Sequence, residues 1–100
     1  MISLITPTKA QVKLADNVRE RRLAMELTQE GLAIRSAVPL PTLRKFEQKG
    51  VISLEAFLKL LLVVGGLEEI IEATKSKKSH FSSIDEVLKE SSTRKRGSRK

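Results

Sequence analysis

Residues 28–48 read Thr-Gln-Glu-Gly-Leu-Ala-Ile-Arg-Ser-Ala-Val-Pro-Leu-Pro-Thr-Leu-Arg-Lys-Phe-Glu-Gln, and this stretch decides the fold. Thr28 is a good helix N-cap, and Gln29 to Ser36 predicts a short helix with Leu32 and Ala33 facing inward. A capping box would want Glu or Gln at position 31. The chain has Gly31 there, which weakens the first turn by about 1 kcal/mol relative to Ala. Ala37-Val38-Pro39 is a tight connection. Leu40 to Gln48 predicts the next helix, with Leu43 and Phe46 as its inward pair. Pro39 and Pro41 fall at its very start, where proline is tolerated. Lys49-Gly50 ends it, Gly50 being a natural left-handed C-terminal residue.

Working outward, residues 6–26 predict a preceding helix. Thr6 can cap it and Pro7 suits its first turn. Val12, Ala15, Val18, Arg22 and Met25 recur on one helical stripe, with Leu14 and Leu23 beside it. On the other side, Ser53 caps a helix from Leu54 to Val64 whose apolar face is Leu54, Phe57, Leu58, Leu61 and Leu62. Gly65-Gly66 stops it, and Leu67 to Thr74 gives a last short helix with Leu67, Ile70 and Ile71 apolar. No segment alternates over strand length. The expectation is an all-α, five-helix domain over residues 1–74. Its second and third helices, with three or four residues between them, read as a helix-turn-helix.

Composition narrows the function. The chain has 100 residues, a formal net charge of +7, one His, and no Cys, Trp or Tyr. Disulfides, thiolate metal sites, histidine clusters and a cysteine nucleophile are therefore excluded, and no enzyme or cofactor is expected. The charge is uneven: residues 1–74 hold 10 Lys/Arg and 9 Asp/Glu, whereas residues 75–100 hold 9 and 3. The latter, rich in Ser, predict a mostly disordered basic tail. It reads either as a solubilising end or as an arm for nucleic acid. Within it, Phe81, Ile84, Val87 and Leu88 would form one apolar face over 81–90. Ser83 and Glu86 make a capping-box pattern there. That segment is too short to be stable alone and is expected to dock on a protein surface. His80 has no assigned role. No signal-like start or bilayer-length apolar run is present in the sequence, so the expected location is cytoplasmic, away from membranes.

Several motifs share one pattern. Thr28-Gln29-Glu30-Gly31-Leu32-Ala33 resembles the opening of Xre/Cro-type helix-turn-helix regulators. Val38 to Glu47 resembles the family's continuation, and Ile52-Ser53-Leu54 with Val63-Val64-Gly65 its close. The likeness covers roughly residues 10–74 and implies a lambda-repressor-like domain. A finer likeness, in residues 42–65, the Phe81–Leu88 segment and the terminal Arg/Lys cluster, is to HipB-type antitoxin repressors. It implies a repressor that autoregulates a toxin–antitoxin operon and restrains a HipA-like kinase. Such repressors bind double-stranded DNA as two-fold dimers on inverted repeats, with half-sites roughly 34 Å apart. Candidate dimer surfaces are Leu67, Ile70 and Ile71, and Ile2, Leu4 and Ile5; these residues could instead complete the core.

The DNA-contact set is drawn from the second and third helices. Gln29 lies in a first turn, where its amide and nearby backbone N–H groups can hold a phosphate. By resemblance, Leu40, Pro41, Arg44 and Lys45 face the major groove, while Thr42 and Gln48 approach the backbone. Arg44 or Lys45 can donate to guanine O6 and N7. Leu40 and Pro41 carry no donors and offer at most contact with thymine methyls; they also read as an exposed apolar turn. Arg22 and Glu47 both sit on otherwise inward faces, where a lone charge is costly; in the family these positions form an ion pair. Arg94, Lys95, Arg96, Arg99 and Lys100 are candidates for contact with DNA or a partner. Two function classes stay open: a DNA-binding repressor, and an antitoxin or adaptor that chiefly binds a partner protein.

Overall fold

A computed structural model describes residues 4–76. Among them lie five helices and no strand: α1 (Pro7–Ala24), α2 (Gln29–Ser36), α3 (Leu40–Lys49), α4 (Leu54–Val64) and α5 (Leu67–Ala73). The chain divides into two units, Met1–Ile70 and Ile71–Lys100.

Local chemistry sets where the helices start. Thr6, Thr28 and Ser53 are N-caps whose hydroxyls accept from the amides of Lys9, Gly31 and Ala56, satisfying one orphan donor each. Pro39 stands at the α3 N-cap without a side-chain bond, and Pro41 lies in its first turn. Gly50 ends α3 at φ 76° and Gly65 ends α4 at φ 95°.

In the first unit the core draws on four helices and one connection. Ala15 and Val18 of α1 meet Leu32 and Ala33 of α2, Val38 of the α2–α3 connection, Leu43 and Phe46 of α3, and Phe57, Leu60, Leu61 and Val64 of α4. The Phe46 and Phe57 rings pack edge to face, with centroids 5.8 Å apart and planes at 63°, a geometry that suits the ring quadrupoles. Leu67 and Ile70 of α5 are half-buried against this cluster. The second unit is described over residues 71–76. There Thr74 Oγ1 donates to the carbonyl of Ile71, and Lys75 pairs with Glu72 at 3.0 Å.

Three expectations, one about a helix end and two about faces, need correction. First, α1 ends at Ala24 rather than at residue 26. The Met25 amide turns back to the carbonyls of Arg21 and Arg22, and Glu26 takes a left-handed φ of 59°. Second, only Ala15, Val18 and Arg22 of the expected α1 stripe are buried; Val12, Leu14, Leu23 and Met25 are exposed. The turn around Gln11 and Val12 is met by backbone: a Cβ at Gly50 would lie 3.0 Å from the Gln11 carbonyl. Third, α4 buries Phe57, Leu60, Leu61 and Val64, while Leu54 and Leu62 are 69% and 72% exposed. The buried set is an i, i+3, i+4, i+7 arc. The run Leu54–Val64 is apolar around most of its circumference, so periodicity alone could not choose the arc.

Candidate nucleic-acid interface

The α2–α3 connection is held by its own polar atoms. Ser36, buried at the end of α2, donates from Oγ to the Ala33 carbonyl at 3.4 Å and accepts from the Val38 amide at 3.2 Å. Ala37 between them adopts a left-handed φ of 61°, and Val38 drops into the core. The connection is thus anchored on both flanks, fixing how α3 leaves α2.

A second network fixes the far end of α3. Arg22 of α1 donates from Nε to Glu47 Oε2 at 2.8 Å and from Nη2 to Glu47 Oε1 at 3.0 Å. Its Nη1 donates to the Leu27 carbonyl at 2.8 Å. Gln29, in the first turn of α2, donates from Nε2 to the same Glu47 Oε1 at 3.0 Å. The side chains of Arg22 and Glu47 are only 8% and 4% exposed. Buried charge is tolerable where it is paired and its remaining hydrogen-bonding groups are satisfied; here a bidentate fork, a carbonyl and an amide do this. Side chains from α1, α2 and α3 meet at one carboxylate, and the Arg22 guanidinium ties the α1–α2 connection to it.

The surface left outside this frame is carried by α3. Pro41, Arg44, Lys45 and Gln48 are exposed. Leu40 and Thr42 are half-buried, and Leu40 packs against the core, so it is not the fully outward residue its position suggested. Two further features were not foreseen. Gln29 is not simply a solvent-facing amide: one of its two N–H groups is directed to Glu47, leaving the other and the carbonyl oxygen. Arg44 Nη2 lies 3.5 Å from Glu30 Oε2, an exposed pair across α2 and α3, and such pairs contribute little. Lys45 makes no ion pair among the described residues. Beside the turn, Ala33, Ile34, Val38 and Leu40 line an open apolar groove with Glu30 on its rim, and Ile34 is 81% exposed.

The remaining sequence candidates lie outside the described residues: Arg94, Lys95, Arg96, Arg99 and Lys100, together with Phe81, Ile84, Val87, Leu88, His80 and Ile2. Among the described residues no group of three or more His, Asp or Glu could hold a metal ion, and no helix is long and apolar enough to cross a membrane. The chain matches no family model, no curated protein and no solved structure.

Proposed function

We propose that the chain is a sequence-specific DNA-binding repressor of the helix-turn-helix type, α2 and α3 forming the motif and α3 entering the major groove. The observation that carries this reading is the Arg22–Glu47–Gln29 network. It ties the start of α2 and the end of α3 to one buried carboxylate while Arg44, Lys45 and Gln48 stay exposed along α3. A rigid helix with a polar and cationic outer face is what groove readout requires. In this reading Gln29 and the first amides of α2 hold a phosphate and set register. Lys45, and Arg44 once released from Glu30, donate to guanine edges. Thr42 and Gln48 approach the backbone, and Leu40 and Pro41 supply apolar contact only. Two copies would occupy an inverted repeat. By its likeness to HipB-type antitoxins, the repressor would autoregulate a toxin–antitoxin operon in the cytoplasm and restrain a HipA-like kinase. Residues 75–100 would be its separate docking or phosphate-binding arm.

The test is binding to operator candidates selected from random duplex DNA, measured across a salt series. Affinity should fall steeply with salt. Lys45→Ala should weaken binding by about 1–3 kcal/mol and relax preference at one base pair of the half-site. A chain that selects no sequence, or a Lys45→Ala variant that binds like the parent, overturns the proposal.

The adaptor reading is favoured by a different observation, the apolar groove beside the turn with its exposed Ile34. Under it, Ile34→Asp would abolish capture of the partner with little dependence on salt, and Lys45→Ala would leave capture intact.

A further inference from the structure

The cations on the outer face of α3 are not equivalent. Arg44, Lys45 and Lys49 are all exposed. Among the described residues Lys45 and Lys49 form no ion pair, whereas Arg44 Nη2 lies 3.5 Å from Glu30 Oε2 of α2. Both side chains of that pair are more than half exposed. Water screens it, so its effect on an equilibrium is roughly two- to fivefold at most. That is little for the stability of the fold, but it falls on one named donor.

A guanidinium offers a planar acceptor two forks, Nε with Nη2 and Nη1 with Nη2. Arg22 displays the first of them, donating from Nε and Nη2 to the two oxygens of Glu47. Either fork includes Nη2, and in Arg44 this is the nitrogen that faces Glu30. A guanine edge, whose O6 and N7 accept such a fork, and the Glu30 carboxylate therefore draw on the same nitrogen. The frame keeps the two in opposition. Ser36 ties the end of α2 to Val38, and Glu47 ties the start of α2 to α3, so Glu30 cannot leave with a moving helix. Nor would the carboxylate gain by following Arg44 to DNA, because phosphates repel it.

We propose that Glu30 is a competitor built into α2, which restrains Arg44 and sets affinity for a matching duplex below what α3 would otherwise deliver. This restraint rests on the DNA-binding reading of α3. On a matching duplex Arg44 exchanges the carboxylate for a base edge, and the cost of the exchange subtracts from binding. On an unrelated duplex no base edge takes the fork, and Arg44 stays with Glu30. Lys45 has no carboxylate to leave and bears no such cost.

The test is a double-mutant cycle in the full chain. Its readout is affinity for the duplex selected from random DNA, at about 0.1 M salt, where charges more than about 10 Å apart are largely screened. Glu30→Gln keeps the shape of the side chain and removes its charge. It should tighten binding by about two- to fivefold, with helical circular dichroism unchanged because the site is exposed. In an Arg44→Ala background the same change should give less than about half that gain, whereas in a Lys45→Ala background the gain should persist in full. On an unrelated duplex the gain should be no larger than on the selected one. Three results overturn the proposal: no gain from Glu30→Gln; an equal gain with and without Arg44, which would make Glu30 a mere field acting on phosphates; or a loss of affinity, which would mean that Glu30 aims Arg44 instead of holding it back. If the parent chain still selects a duplex and Lys45→Ala still weakens it, the DNA-binding reading survives any of these three. A parent chain that selects no duplex overturns both.

Discussion

Glu47 is the residue on which the geometry of α3 turns. Its carboxylate takes three hydrogen bonds from two side chains, and its partner Arg22 carries a fourth to the Leu27 carbonyl. Removing one member of a buried pair leaves the other charge uncompensated, which costs about 3–5 kcal/mol. Glu47→Ala should therefore lower the melting temperature by about 10 °C or more. Glu68→Ala, on the exposed side of α5, should stay within about 0.5 kcal/mol of the parent. Comparable losses from the two variants in a thermal melt would show that the network does not hold the helices. The Arg22–Glu47 pair was legible in the sequence because each charge interrupts an apolar stripe. The Gln29 bond was not, because a first-turn glutamine reads as a surface residue whatever stands opposite. The Arg44–Glu30 contact was hidden for the same reason: it joins two exposed side chains on different helices, and no spacing rule relates them.

Among the elements, α3 depends on a backbone contact that its own sequence only half reveals. Gly50 is buried at φ 76°, its carbonyl accepts from Gln11 Nε2 at 3.1 Å, and a Cβ there would stand 3.0 Å from the Gln11 carbonyl group. Gly50→Ala thus meets both a disfavoured dihedral and a backbone it cannot displace. It should cost about 1–3 kcal/mol, measured by chemical denaturation; a variant as stable as the parent would mean that α1 and α3 can separate without loss. The left-handed turn was legible from Lys49-Gly50, and so were the caps at Thr6, Thr28 and Ser53. These local signals place every described helix boundary within about two residues, the usual uncertainty of such ends. The approach of Gly50 to α1 was not legible, because it depends on how two helices cross. The faces of α4 were hidden by its richness in leucine and valine. The left-handed Glu26 carries no turn signal at all, since glutamate is an ordinary helix former.

For the whole molecule, the charge belongs largely to one end. Residues 1–74 carry 10 Lys/Arg against 9 Asp/Glu, while residues 75–100 carry 9 against 3. Under the proposed function, the near-neutral domain would read DNA through placement of a few side chains, and the basic arm would add affinity through counterion release. Deleting residues 91–100 should lower DNA affinity and flatten its salt dependence while leaving the preferred sequence unchanged, in the same selection and salt-titration measurements. An altered preferred sequence would show that the arm reads bases. The edge-to-face contact of Phe46 with Phe57 bears on how such events can be watched. The chain has neither Trp nor Tyr, so it offers no useful intrinsic fluorescence. Phe46 stands on α3 next to Lys45 and Glu47, and Phe57 on α4 between Leu54 and Leu58. Each ring lies in the ring current of the other, and the pair joins the helix proposed for DNA to α4. Proton resonances of this pair form a native spectroscopic probe of how α3 and α4 sit together, and a tilt of either helix would register in the chemical shift of its neighbour's ring.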